Sequence, residues 1–182
     1  MPGINPTDGT VPVVVQARSR YTPEICFELI APIDLARIFQ GWGPFPAVNG
    51  ASGQTGPWNA AGRTRHPQLS DGSTATESLT EYTEPSSFAY ELSGFTGSMR
   101  HLFRVVRGEW TFTPDGTGTL VRWTYEFAPL RGRLLLSRAL VGPLWRRYAT
   151  RALELALAAV EEDAGRIGGH SAPTPRTKGN RR

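Results

Sequence analysis

The run Pro143-Leu-Trp-Arg-Arg-Tyr-Ala-Thr-Arg-Ala-Leu-Glu-Leu-Ala-Leu-Ala-Ala-Val-Glu-Glu-Asp163 decides the fold. Trp145, Tyr148, Ala149, Ala152, Leu155, Ala156, Ala159 and Val160 recur at the 3.6-residue period. Arg146, Arg147, Thr150, Arg151, Glu154, Glu161 and Glu162 take the opposite side. This predicts a long amphipathic helix from about Pro143 to about Asp163, ending near Gly165. A stripe of that length needs a broad apolar partner, and the rest of the chain offers only a sheet.

Working outward, Leu134 to Leu140 reads as a short apolar turn or helix ended by Gly142-Pro143. Before it lies a meander of extended runs joined by turn signals. Ala60 to Leu69 and Ser73 to Thr83 flank Asp71-Gly72; Glu84-Pro85-Ser86-Ser87 leads to Phe88 to Phe95. Thr96-Gly97-Ser98 leads to Arg100 to Thr113, and Pro114-Asp115-Gly116 to Thr119 to Ala128. In the last run Val121, Trp123, Tyr125 and Phe127 share one face, so one side is buried and the other wet.

At the other end, Val11 to Arg20 reads as a first strand. Thr22-Pro23-Glu24 then starts a helix, with a hydroxyl cap, a proline at the first position and an acid near the positive end of the dipole. Ala31-Pro32 stops it, and Asp34 caps a second short helix through Phe39. Gly41 to Pro57 is a Gly- and Pro-rich connection with one short edge strand near Ala47-Val48; no Gly-Lys-Ser/Thr follows, so it is not a phosphate loop. The order predicts an α+β fold: a curved antiparallel sheet of about seven strands wrapped around a long C-terminal helix, with two short helices after the first strand. A bent sheet gripping one helix leaves space at its mouth for a ligand.

Composition narrows the class. Hydrophobic residues make up 39% and charged residues 20% of 182, which suits one globular domain. The single cysteine, Cys26, excludes a disulfide framework and a four-Cys zinc site and reads as a small core residue. No apolar run reaches the roughly 18 residues of a membrane span. Met1 to Thr10 lacks the basic and apolar regions of a signal peptide, so the expected location is cytoplasmic. The net charge of +4 resides in Gly165 to Arg182, where Arg166, Arg176, Lys178, Arg181 and Arg182 meet no acid. A near-neutral body with a basic tail is not a nucleic-acid groove. The expected organisation is a disordered N-terminus at 1–10, a ligand-binding domain at 11–164 and a disordered basic tail at 165–182.

Several phrases in this order resemble a known superfamily. They are Val13-Val14-Val15 followed by Thr22-Pro23-Glu24; Leu69-Ser70-Asp71-Gly72; Glu77-Ser78-Leu79-Thr80-Glu81-Tyr82 leading to Pro85 and Phe88-Ala89-Tyr90; Gly118-Thr119-Leu120-Val121-Arg122-Trp123; and the C-terminal helix. Together, over about residues 11 to 163, they resemble the START / polyketide cyclase / birch-pollen-allergen (SRPBCC) superfamily, the helix-grip proteins. The resemblance implies that fold. It does not fix a function, because such families include lipid carriers, hormone receptors, aromatic polyketide cyclases, chaperone activators and quinone-binding proteins. No catalytic signature runs through them, so it assigns no active residue.

Hairpin arithmetic supplies a candidate lining. A two-residue Asp71-Gly72 turn sets His66 opposite Glu77 and Thr64 opposite Leu79; a two-residue Pro85-Ser86 turn sets Leu79 opposite Leu92 and Glu81 opposite Tyr90. The apolar members make that face the inner one, so His66 and Glu77 are expected as an inward cross-strand pair, a general base or a polar anchor. A rim pair, or a register slip that turns both outward, is the alternative. Arg107, beside Glu109, is a third candidate of undecided face; turned inward, it would fix a ligand carboxylate or enolate. Expected ligand-wall residues are Leu79, Tyr90, Leu92, Phe103, Trp123, Tyr125, Tyr148 and Ala152. Trp110 is core, and Trp42 and Trp58 close the mouth or staple the loop. His66, His101 and His170 lack ligand spacing, so neither a metal nor another cofactor is expected. The first expectation is a binder of a hydrophobic or amphipathic small molecule (a lipid, a polyketide or an isoprenoid-like compound) acting as monomer or homodimer. The alternative is an aromatase/cyclase or dehydrase using the same cavity. A third is an interaction module presenting Arg133 to Leu144 to a membrane surface or partner.

Overall fold

The structure, a computed structural model, describes residues 9–169. β1 (Val11–Ser19) alternates buried and exposed residues, and Thr22-Pro23 then starts α1 (Pro23–Ile30). The Thr22 hydroxyl makes no cap bond to the helix backbone; it bonds the Glu24 carboxylate and holds that carboxyl below its ordinary range. α1 buries Cys26, Phe27 and Ile30. Asp34 caps α2 (Leu35–Ile38), accepting from the Ala36 amide at 3.0 Å.

The Gly/Pro-rich connection carries two strands rather than one, β2 (Gln40–Trp42) and β3 (Phe45–Ser52), paired as a tight hairpin. β4 (Thr64–Leu69), β5 (Thr76–Thr83), β6 (Ser87–Ser93), β7 (Phe103–Asp115) and β8 (Gly118–Pro129) follow. The start expected for the seventh strand, Arg100, falls instead in a short 3-10 turn at Ser98–His101. Among the described residues the strands form one antiparallel sheet of eight in the order β1-β8-β7-β6-β5-β4-β3-β2, one more than expected.

α3 (Leu134–Leu136) leads into a π-helical turn, Ser137–Val141, and then α4 (Gly142–Gly169). Gly142-Pro143 was expected to break the chain here. It does not, because the wider turn takes up the rung that Pro143, lacking an N–H, cannot supply. α4 buries Tyr148, Ala149, Ala152, Leu153, Ala156, Ala159 and Val160 in the core; Leu153 replaces the half-buried Leu155 as the central residue of the stripe. Arg37 of α2 holds the far end of α4 through Asp163 at 2.6 Å and Glu162 at 3.2 Å. Near its start, Arg146 donates to the Val14 carbonyl of β1 at 2.9 Å, and the Tyr148 hydroxyl donates to the Pro46 carbonyl at 3.1 Å. The helix passes Gly165 and continues to Gly169; residues 170–182 of the segment expected as a tail, and residues 1–8, lie outside the described residues.

Candidate functional site

Between the sheet and the N-terminal half of α4 lies a cavity of about 150 Å3. Apolar and aromatic groups supply most of its wall: Ile30, Ile38 and Phe39 from the two short helices, Phe45 from β3, Trp110, Trp123 and Tyr125 from the sheet, Trp145 and Tyr148 from α4. Phe95 and Met99, both half-buried, belong to the connection between β6 and β7 at one end.

One strip of the wall is polar. Arg65 Nε lies 2.6 Å from Glu77 Oε2, with side-chain exposures of 8% and 3%. The guanidinium stacks over the buried Trp58 ring, 4.0 Å from its centroid, a cation–π contact strengthened by desolvation. Two residues along β6 from the Glu77 partner Leu92, Tyr90 donates its hydroxyl to the Tyr125 hydroxyl at 3.2 Å and accepts from Trp123 Nε1 at 3.1 Å. Burial first, then the nearby Glu77 charge, pushes the Tyr90 phenol well above its ordinary range. Burial likewise raises Tyr125, with Tyr90 adding to it. Both are hydrogen-bond donors at neutral pH, not bases.

Gly108 makes the placement of Tyr90 possible. It pairs with Tyr90 on one side and Tyr125 on the other, and a Cβ there would collide with the Tyr90 ring. The glycine is a slot cut in β7 for the phenol.

The expected His66–Glu77 pair does not form. Leu69 and Ser73 close the β4–β5 hairpin, with Leu69 N donating to Ser73 O at 2.9 Å, so the loop is Ser70-Asp71-Gly72, three residues instead of two. Gly72 takes φ +80°, and Asp71 Oδ1 accepts from Ser73 N at 2.9 Å, the arrangement of a three-residue hairpin ending in a left-handed residue. That single extra residue puts Arg65, not His66, opposite Glu77 and turns His66 to the other face, where its Nδ1 lies 3.3 Å from the Ala75 carbonyl.

The β5–β6 hairpin shifts twice. Thr83 pairs with Ser87 around a three-residue loop, and a bulge falls between Leu79 and Glu81. The two slips restore parity for Glu77, Leu79, Tyr90 and Leu92, which share the inner face. Glu81 is released to solvent, where Ser87 Oγ donates to it at 3.0 Å. Arg107 is on the convex face with Glu109, 3.9 Å away and similarly exposed, because Gly108 and Trp110 hold the inward positions of β7.

Of the expected wall residues, Tyr90, Leu92, Trp123, Tyr125 and Tyr148 line the cavity. Leu79, Phe103 and Ala152 are buried outside it, Phe103 against Phe127 at 5.0 Å. Sequence reasoning missed Arg65. Its signal was the alternation Arg65, Pro67, Leu69 on one strand face, readable once the glycine-terminated loop is counted as three. Trp42 is half-buried on β2, and Trp58 backs Arg65 rather than closing the mouth. Among the described residues no group of three His, Cys, Asp or Glu is placed to hold a metal, and no helix is long and apolar enough to cross a membrane.

A curled antiparallel sheet closed by one long C-terminal helix, with two short helices after the first strand, defines the helix-grip class. Within it the chain belongs to the family described as polyketide cyclase / dehydrase and lipid transport, which matches residues 10–165. No curated protein matches the sequence. Among solved structures it is similar to Ara h 8.0201, at TM-score 0.59 and 15% identity over 84% of this chain and 99% of the other. It is also similar to the major latex-like protein 151 of Panax ginseng, at TM-score 0.57 and 18% identity over 90% and 99%. BexL, a di-domain ARO/CYC from the BE-7585A biosynthetic pathway, aligns at TM-score 0.62 and 14% identity over 84% of this chain and 50% of BexL. At these identities the likeness concerns the fold.

Proposed function

We propose that the chain binds a hydrophobic or amphipathic small molecule between the sheet and α4. The observation that carries this is a largely apolar and aromatic wall interrupted by one polar strip, Arg65–Glu77 with Tyr90 and Tyr125. Such a surface takes a ligand with a greasy body and one carbonyl or hydroxyl end. At about 150 Å3 the present space suits a single ring, since an apolar cavity of about that size takes benzene. A longer ligand extends past Phe95 and Met99. Displacement of an environment-sensitive apolar dye by lipophiles of graded length, with mass spectrometry of co-purifying material, tests the reading. A folded protein that takes up no dye and releases no lipophile would end it.

A second reading, a cyclase or dehydrase, draws on one observation. Well-packed apolar residues in place of a buried ion pair are often at least as stable, so Arg65–Glu77 is poorly explained by stability alone. Among the described residues the guanidinium makes one hydrogen bond, through Nε, leaving its terminal amino groups for a ligand oxygen. On a poly-β-carbonyl chain Glu77 takes a proton from the carbon between two carbonyls, and Arg65 holds the resulting enolate oxygen. Attack on a distant carbonyl closes a ring, and loss of water completes an aromatic product. Incubation with a short poly-β-ketone separates the readings: a carrier returns it unchanged, and the enzyme lowers its mass by water, a change lost in Glu77→Gln.

A further inference from the structure

We infer that the segment from Leu130 to Leu140 is a docking surface for an anionic lipid membrane, placed beside the cavity. Among the described residues the large apolar side chains left exposed are Leu130 at 38%, Leu135 at 80%, Leu136 at 40% and Leu140 at 54%, all within eleven residues. Scattered exposed leucines need no explanation, whereas a patch confined to one segment marks a contact surface. Exposed arginines, Arg131, Arg133 and Arg138, alternate with them, and among the described residues none pairs with an acid. From Phe127 to Leu153 the sequence has six arginines and no acidic residue.

Charge chooses the occupant. A second copy docked through a twofold axis would set the same patch against itself, arginine facing arginine. An anionic bilayer accepts the leucines at the headgroup–acyl boundary and offers phosphates to the guanidinium groups. The fold also joins this surface to the cavity. The Leu130 amide bonds the Leu102 carbonyl at 2.9 Å, the Leu102 amide bonds the Met99 carbonyl at 3.0 Å, and Met99 lines the cavity; on the other side α4 brings Trp145 into the wall one turn beyond Val141. A ligand leaving past Met99 emerges next to the leucines. That last link rests on the ligand-binding reading; the surface itself does not.

The test is co-sedimentation of the full chain with phosphatidylcholine vesicles, with and without phosphatidylglycerol. The wild type should pellet with the anionic vesicles and dissociate as sodium chloride rises. Leu135→Glu/Leu140→Glu should weaken binding at least about tenfold. Arg131→Gln/Arg133→Gln/Arg138→Gln should weaken it on the order of a hundredfold. All five side chains are exposed, so circular dichroism and dye affinity should match the wild type, and the basic C-terminal segment stays in every protein compared. Absence of wild-type binding to anionic vesicles overturns the inference, as does binding indifferent to the leucine changes. Light scattering that shows a dimer broken by those changes also overturns it, assigning the leucines to a second copy. Failure of dye uptake beside intact vesicle binding counts against the cavity reading alone.

Discussion

Arg65 and Glu77 face each other across the β4–β5 hairpin, Nε to Oε2 at 2.6 Å, inside the cavity wall. Each neutralises a charge that the interior would otherwise reject. Arg65→Met alone or Glu77→Leu alone should therefore cost about 3–5 kcal/mol in urea unfolding, because each strands the other's charge. The double change should cost far less than the sum, with a coupling of at least about 0.5–3 kcal/mol. Additive losses would mean that the two side chains do not depend on each other.

Tyr90 and Tyr125 are held protonated by burial, so their folded pKa values exceed those of the unfolded chain. Below about pH 10 both states carry the proton and nothing is lost. Above it the unfolded tyrosines ionise first, bind fewer protons than the folded ones, and stability falls as pH rises, by up to about 1.4 kcal/mol per unit per tyrosine. Tyr90→Phe should flatten this alkaline slope, measured by denaturant unfolding across the alkaline range. An unchanged slope would show that Tyr90 already ionises like a solvated phenol.

The Tyr148 hydroxyl ties the β2–β3 hairpin to α4, donating to Pro46 and accepting from the Gly41 amide at 3.1 Å. Tyr148→Phe leaves the ring stacked on Phe45, whose centroid is 5.5 Å away, and removes only those bonds. The loss should be about 1–3 kcal/mol, with faster hydrogen exchange at the Gly41 amide. Exchange at Gly41 as slow as in the wild type would show that the hairpin is held some other way.

The helix-grip order was legible because its signals are long. The α4 stripe repeats over several turns, and the Val121, Trp123, Tyr125, Phe127 alternation leaves one possible inner face. The polar site was half legible. Glu77 was placed inward, yet its partner was misassigned, because pairing depends on counting a single loop residue. Asp71-Gly72 supports a two-residue turn on composition; only the Leu69–Ser73 closure distinguishes the longer one. The β5 bulge has no local signature in Leu79-Thr80-Glu81, so the outward turn of Glu81 was out of reach. Nor does composition expose the Gly108 slot, whose reason is a ring on the neighbouring strand.

Leu92 offers the cleanest test of the cavity itself. It pairs with Glu77 and lines the cavity, but it is only half-buried, so a larger side chain has somewhere to go. Trp123 and Tyr125 are poorer targets. Both are almost wholly buried, and shrinking either removes about 3–5 kcal/mol of packing along with any ligand contact. Leu92→Trp should keep the melting temperature within a few degrees, since overpacking costs about 1–3 kcal/mol even in a tight core. It should also occupy the space a ligand needs. Apolar-dye affinity should fall about tenfold or more, with the loss greater for long lipophiles than for single-ring ones. Affinity unchanged in a folded Leu92→Trp protein would place the dye elsewhere on the molecule, and the cavity between sheet and helix would then be a feature of packing alone.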